Sequence, residues 1–382
     1  MSARMPRTHD DRDSGLDRFR QCTIAHPRLV KAKDELMNAI SGAESNSLVF
    51  VFGPTGVGKT TLLQKTEEVI TAELLNELQE DREKIPVVSI EAVAPESGNF
   101  NWRDHYKRLL RQLDEPLVDY KVGRRSESES VQPRSRFLPP PRAVASDYRD
   151  AVEQAIRHRR PVVVMIDEAQ HLGKIGSGRR LLDQLDVIKS IANRTGTVHV
   201  LFGTYDLLAL RNLNGQLSRR SIDVHLARYR AEVPEERQIF INIIETFERE
   251  LPFPEPSNLV HNWESLYERS LGCVGIMKQW LVRAATAAAR NGSRSLAKGD
   301  LESQALCMAQ CEQLYTEIAD GELKLEERSD AVSRYRSKLG LTDHGSVKAI
   351  PPAASRFRFR RPGQRLPVRD TVGMVGANAA AI

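Results

Sequence analysis

Gly53-Pro-Thr-Gly-Val-Gly-Lys-Thr60 follows the apolar run Leu48-Val-Phe-Val-Phe52 and opens onto Thr61-Leu-Leu-Gln-Lys-Thr66, and this junction decides the fold. Consecutive apolar residues ending in Gly-Pro read as a strand buried on both faces of a parallel sheet, while the stretch 58–80 reads as a helix. Between them, G-x-x-x-x-G-K-T places glycines where the backbone must turn and approach an anion closely. Amides from Thr55 to Thr60 then converge at the helix N-terminus. Gly53, Pro54, Thr55, Gly56, Val57, Gly58, Lys59, Thr60 and Thr61 are therefore the expected cradle for a nucleotide triphosphate. Lys59 is expected to reach the β- and γ-phosphates, and the Thr60 hydroxyl to hold magnesium, with ATP and Mg2+ as the expected ligands.

Downstream, Val162-Val-Val-Met-Ile-Asp167-Glu168 is another buried strand, ending in two carboxylates. Beside the cradle, Asp167 is expected to hold the metal and Glu168 to position or deprotonate the attacking water. Val198-His-Val-Leu-Phe-Gly-Thr204 is a further strand ending in a small polar residue. Thr204 suits either a γ-phosphate sensor or the N-cap of the next helix. In Gln216-Leu-Ser-Arg219-Arg220, either arginine suits an arginine finger reaching a neighbouring subunit's phosphate; a solvated pair is the alternative.

Strands expected at 47–52, 85–93, 161–166, 197–202 and 222–226 alternate with helices at 27–40, 58–80, 102–113, 146–159 and 178–193. That alternation predicts an α/β domain with a mostly parallel five-stranded sheet flanked by helices. After Pro234 only helices are expected, at 234–249, 257–270, 275–291 and 298–319. The organisation read from this is a disordered N-terminal segment (1–22), a nucleotide-binding α/β core (23–232), a small helical lid (233–320), and a charged helix with a Pro/Arg-rich tail (321–382). A flexible Ser/Pro/Arg-rich insertion at about 114–145 interrupts the core.

The 382 residues, 40% hydrophobic, suffice for one large domain or two smaller ones, each with its own core. No apolar run reaches the ~20 residues of a membrane span and the N-terminus is polar, so the expectation is a cytoplasmic protein with no membrane association. Cys22, Cys273, Cys307 and Cys311 form no CxxC pair, which argues against a zinc or redox site and for small apolar side chains in a reducing compartment. The net charge of +5 is unevenly spread. Basic residues cluster at 103–111, 121–142 and 356–369, whereas 232–255 carries more acid than base.

The order of phosphate loop, acidic strand end, polar sensor and arginine, followed by a helical lid, resembles AAA+ ATPases over residues 25–320. More narrowly, His26-Pro27, GPTGVGKTTLL, RLLRQLDEP, VVVMIDEAQHL, VLFGTYDLL, QLSRR and LGCVGIMKQWL resemble the TniB/TnsC family of transposon ATPases. The resemblance implies a P-loop AAA+ ATPase of the bacterial cytosol that assembles as a ring or helical filament on double-stranded DNA. It implies further partners, namely a transposase and target-selector proteins. Carried onto this sequence, it assigns Lys59 and Thr60 to phosphate and magnesium, Asp167 and Glu168 to metal and water, Thr204 to the first sensor, and Arg219 or Arg220 to the finger. Lys278 of Gly275-Ile-Met-Lys stands where AAA+ proteins commonly carry a second-sensor arginine; a solvated lysine is the alternative.

Arg103, Lys107 and Arg111 recur every fourth residue and so share one helix face, a candidate contact to DNA phosphates that would be indifferent to sequence. A solvated face is the alternative. Arg356-Phe-Arg-Phe-Arg-Arg361 interleaves cations with aromatics and suits partner docking or nucleic acid. Two other classes fit part of the pattern: an AAA+ ATPase of replication initiation or secretion, and a low-turnover nucleotide-binding signalling scaffold.

Overall fold

A computed structural model of the chain describes residues 9–43, 47–96, 98–120, 144–173, 178–212, 221–326 and 329–341. Most of the 114–145 insertion, the two candidate finger residues Arg219 and Arg220, and the tail beyond 341 lie outside these residues. Residues Met1–Glu326 form one compact unit and Glu327–Ile382 a second.

At the centre of the first unit is β1 (Leu48–Phe52), buried at every position. Its alternating side chains serve two cores. Leu48, Phe50 and Phe52 join a cluster with Tyr148, Val152 and Ile156 of α6 (Ala145–Arg159) and Ile188 of α7 (Gly178–Thr195). Val49 and Val51 join Leu36 of α2 (Pro27–Gly42) and Leu62, Leu63 and Ile70 of α3 (Lys59–Glu73). An apolar residue is therefore needed at each position of β1, which is why the strand reads as a continuous run.

The sheet runs β2 (Val87–Glu91), β3 (Val163–Asp167), β4 (Val198–Gly203), β1, β5 (Ser221–His225), every pair parallel. The five-stranded parallel sheet flanked by helices is the one read from the sequence. Its register sets the site: Phe52 lies opposite Gly203, Ile166 opposite Leu201, and Glu91 opposite Asp167. The loops leaving β1, β3 and β4 thus emerge together at the carboxyl edge, where open α/β sheets bind ligands.

Several elements depart from expectation. Helix 58–80 is interrupted at Leu74, where φ is −94° and ψ is 6°, giving α3 and α4 (Leu75–Glu80). The segment expected to be disordered through residue 22 contains α1 (His9–Gln21), whose Leu16 and Phe19 are buried in the helical lid. The Phe19 ring meets Phe247 edge-on at 6.1 Å. Two buried side chains in an otherwise Arg- and Asp-rich stretch give too little periodicity to register as a helix, yet enough contact to hold one.

After α5 (Trp102–Gln112) and the short α8 (Leu207–Arg211), the lid comprises α9 (Pro234–Glu250), α10 (Trp263–Ser270), α11 (Val274–Arg290), α12 (Lys298–Gln304) and α13 (Met308–Leu325). Residues 298–319 form two helices rather than one, because Ala305 and Cys307 are extended and Gln310 Oε1 accepts from the Cys307 amide to start α13 afresh. α13 continues beyond 320, the boundary expected for the lid. In the second unit, α14 spans Ser329–Lys338. Among the described residues no helix is long and apolar enough to cross a membrane, and no three His, Cys, Asp or Glu gather as a metal-holding group. Cys273 and Cys311 are buried as expected, but Cys307 is exposed.

Four histidines are packed into this fold. His26, N-cap of α2, accepts at Nδ1 from the Leu29 amide at 3.3 Å and lies 3.0 Å from the Tyr229 hydroxyl; His199 donates from Nδ1 to the Thr197 carbonyl at 2.9 Å. Burial pushes His26, His105, His199 and His225 down to about 4. A histidine whose folded pKa is depressed contributes stability that is present above its unfolded value of about 6.5 and is lost as pH falls toward 4. Each fully buried ring contributes to the slope, at up to about 1.4 kcal/mol per pH unit. Chemical denaturation at pH 7.5 and pH 5 should therefore show a lower midpoint at pH 5, and His199→Asn should flatten that dependence. An unchanged midpoint would rule out neutral buried imidazoles.

Candidate nucleotide site

The loop from β1 to α3 is held in shape by its own chemistry. Gly56 and Gly58 adopt φ of +70° and +114°, and Gly58 at the N-cap supplies no side-chain bond to the first turn of α3. The amides at that helix start are left for an external acceptor, and the helix dipole favours an anion there. Lys59, only 7% exposed, folds back so that Nζ donates to the carbonyls of Gly53 (3.1 Å) and Pro54 (2.8 Å). Burial pulls its pKa down, while the carboxylates of Glu168 and Asp167 push it up.

Asp167, last residue of β3, accepts at Oδ2 from the Thr60 hydroxyl at 2.8 Å and at Oδ1 from the Glu168 amide at 2.8 Å. A hydroxyl and a carboxylate in contact beside the amides for phosphate form the hard-oxygen donor set that magnesium takes, together with phosphate oxygens and water. The donor types fit that ion. Glu168 occupies the left-handed region at φ 51°, which turns its carboxylate out of line with the strand.

One cavity of about 770 Å³ is lined by Lys59, Thr60, Glu168, Thr204 and Lys278 together. The lid reaches it by docking directly on the phosphate loop. The Ile276 amide donates to the Gly56 carbonyl at 3.1 Å, and a Cβ on Gly275 would lie 2.4 Å from that same oxygen, so the approach requires glycine. Lys278, one helical turn beyond Gly275, donates from Nζ to the Cys22 carbonyl, and burial lowers its pKa. Thr204 follows β4; its hydroxyl accepts from the Asp206 amide at 3.4 Å and its carbonyl from the Leu207 amide at 3.1 Å. Thr204 lines the cavity, but the N-cap of α8 is Asp206, so the N-cap reading of Thr204 does not hold.

Arg103, Lys107 and Arg111 do share one face of α5, but that face is not a bare cationic stripe. Lys107 pairs with Asp119 at 2.6 Å and Arg111 with the same carboxylate at 3.8 Å. The bond to Asp119 raises the Lys107 pKa. Arg103 and Lys107 also lie over the buried Tyr148 ring, at 5.6 and 5.3 Å from its centroid. Packing against α6 thus accounts for part of the spacing.

Four polar residues to which the sequence assigned no role line the cavity: Arg20, Gln170, Gln279 and Arg283. Arg20 belongs to the segment read as disordered. Gln170 was visible only as a letter of DEAQ, with no spacing rule to assign it; its amide lies between Glu168 and Thr204.

Residues 43–210 match the family described as an AAA domain. Among curated proteins none matches the chain. Among solved structures, the chain is similar to the Aeropyrum pernix ORC2 protein in its ADPNP–ADP complexes, with 17% identity over 75% of this chain and 70% of that one and a TM-score of 0.49. It is also similar to the Walker-type ATPase PABY2304 of Pyrococcus abyssi, with 18% identity over 81% of this chain and 83% of that one and a TM-score of 0.44. The Aeropyrum pernix ORC1 protein in complex with DNA is a third, at 16% identity, 77% and 64% coverage and a TM-score of 0.44. The AAA domain and the loop, strand and lid geometry around it make this an AAA+ P-loop fold and an ATPase.

Proposed function

We propose that this chain is an ATP-gated AAA+ regulator of DNA transposition, which assembles on duplex DNA and presents the target site to a transposase. The observation that carries the ATP-dependent part is the single cavity shared by Lys59, Thr60, Glu168 and Thr204 of the core and Lys278 of the lid. A ligand filling it touches both parts, so its presence or hydrolysis changes how the lid is held.

In the proposed reaction, the amides at the start of α3 and Lys59 bind the triphosphate. Thr60 and Asp167 are the residues that would hold magnesium, which neutralises charge on the phosphates when bound. Glu168 takes the proton of the attacking water, and Thr204 orients it or senses the γ-phosphate. Lys278 exchanges the Cys22 carbonyl for a phosphate oxygen. Arg219 or Arg220 of an adjacent copy adds a further stabilising cation from outside the chain, and this makes oligomerisation a condition of turnover. Hydrolysis then loosens the assembly.

The DNA surface assigned to this reading is the Arg103, Lys107 and Arg111 face, with backbone contacts that Asp119 moderates. Transposase and target selector enter through the resemblance to the TniB/TnsC family and through the arginine- and phenylalanine-rich tail. Electron microscopy of the protein with duplex DNA tests the reading. Rings or filaments are expected with a non-hydrolysable ATP analogue and their absence with ADP. Assembly indifferent to nucleotide would overturn it, and so would the absence of any assembly with either.

A further inference from the structure

The amide of Gln170 is held at both ends. Its Oε1 accepts from the Thr204 backbone amide at 3.2 Å, and its Nε2 donates to Glu168 Oε2. Because a backbone N–H can only donate, Oε1 must face Thr204, and the NH2 group is left to face the carboxylate. Two features of the chain make room for this arrangement. A Cβ on Gly203 would lie 2.4 Å from Gln170 Oε1, so the end of β4 is glycine where the amide passes. The positive φ of Glu168, fixed by its amide donating to Asp167, turns its carboxylate toward the same side chain. Neither the AAA domain match nor the expected roles at the site assign anything to this residue.

From this geometry we propose that Gln170 is the positioning residue for hydrolysis, tying the carboxylate of Glu168 to the end of the sensor strand. The inference rests on the reading of Glu168 as the base. With Oε2 occupied by the amide, Oε1 of Glu168 is the oxygen left to take a proton from water. The tie also joins two elements that meet the γ-phosphate separately, β3 through Glu168 and β4 through Thr204. A displacement of Thr204 by the phosphate pulls on the Gln170 amide and so re-aims the base. Gln170 touches no reacting atom in this scheme; its contribution is the direction in which Glu168 points. Without it, the Glu168 side chain regains rotamers and the attacking water loses its fixed partner.

Gln170→Met keeps length and volume and removes both bonds, while Gln170→Glu keeps the acceptor for the Thr204 amide and replaces the donor by a second carboxylate. Steady-state ATP hydrolysis, equilibrium binding of a fluorescent ATP analogue and thermal melting are measured on each, alone and combined with Glu168→Gln. The expected result is a fall in kcat of about 10- to 100-fold, the loss of one charge-assisted hydrogen bond, with KM and analogue affinity within about twofold. In the Glu168→Gln background, Gln170→Met is expected to add no further loss, because it acts only through that carboxylate. Should the methionine variant fold poorly, Gln170→Glu carries the test, since it retains the bond to β4. Normal kcat in either folded variant overturns the inference, as does a matching loss of nucleotide affinity or an equal further loss without Glu168. If Glu168→Gln itself turns over normally, the reading of the base fails first; if it is inactive while Gln170→Met is normal, only the positioning role falls.

Discussion

Glu168→Gln should lower kcat for ATP by roughly 10²- to 10⁴-fold, the range for removing a general base, while ATP binding is kept. The substitution preserves shape and removes the carboxylate's charge together with its ability to take a proton. The groups assigned to the triphosphate are untouched: Lys59 still has the Gly53 and Pro54 carbonyls, and Thr60 still has Asp167. Loss of a negative charge beside the phosphates also relieves repulsion, so affinity should hold or rise. Lys59 limits that gain, since burial already disfavours its charge and Glu168 is the first carboxylate supporting it. Phosphate release and titration with a fluorescent analogue separate the two effects. The assembly on DNA should persist longer in the variant, because the triphosphate is not consumed. A variant that binds ATP normally and still releases phosphate at the original rate would remove Glu168 from the chemistry.

The sequence was most informative where local chemistry and global topology impose the same residues. A central strand buried on both faces must be apolar throughout, and a phosphate loop must carry glycine at fixed places, so β1, the cradle and the carboxylates ending β3 could be read without coordinates. Other features depend on partners distant in sequence, and these escaped. The helix α1 is held by Leu16 and Phe19 against the lid, more than two hundred residues away, and nothing in its own pattern announces that surface. Asp119 changes the meaning of the Arg103, Lys107 and Arg111 face, yet it lies in a turn whose folding back onto α5 leaves no periodic signal. Gln170 gains significance only once β3 and β4 are seen as neighbours, with Ile166 opposite Leu201. Spacing along one element finds a helix face; it does not find a bridge between two strands.

Replacing Glu322 should be far more damaging to the fold than replacing any surface partner of an ion pair. Glu322 of α13 meets Arg228, in the segment joining β5 to α9, through two bonds of 3.1 and 3.2 Å, with both side chains about nine-tenths buried. Arg228 also donates to the Tyr267 hydroxyl at 3.3 Å, so the guanidinium is enclosed by three elements. Burial alone would depress the Arg228 pKa, and the bonds and charge of Glu322 more than offset that, raising it. Glu322→Ala therefore leaves a buried cation without its carboxylate, a change that costs about 3–5 kcal/mol where it has been isolated. The double change Arg228→Met with Glu322→Leu removes both charges and should recover most of that loss, since the attraction of a buried pair is spent largely on its own desolvation. Glu35→Ala supplies the contrast. Its partner Lys31 is 77% exposed and the pair is 3.7 Å apart, so a change of under about 1 kcal/mol is expected. Urea denaturation of the four proteins ranks these effects directly. Equal midpoints for Glu322→Ala and Glu35→Ala would mean that water reaches Arg228 and that α13 is not clamped to the segment entering the lid; a large loss only at Glu322 would mean that this helix, Tyr267 and the β5–α9 segment move as one body, so that displacing α13 is a way of displacing the lid from the phosphate loop.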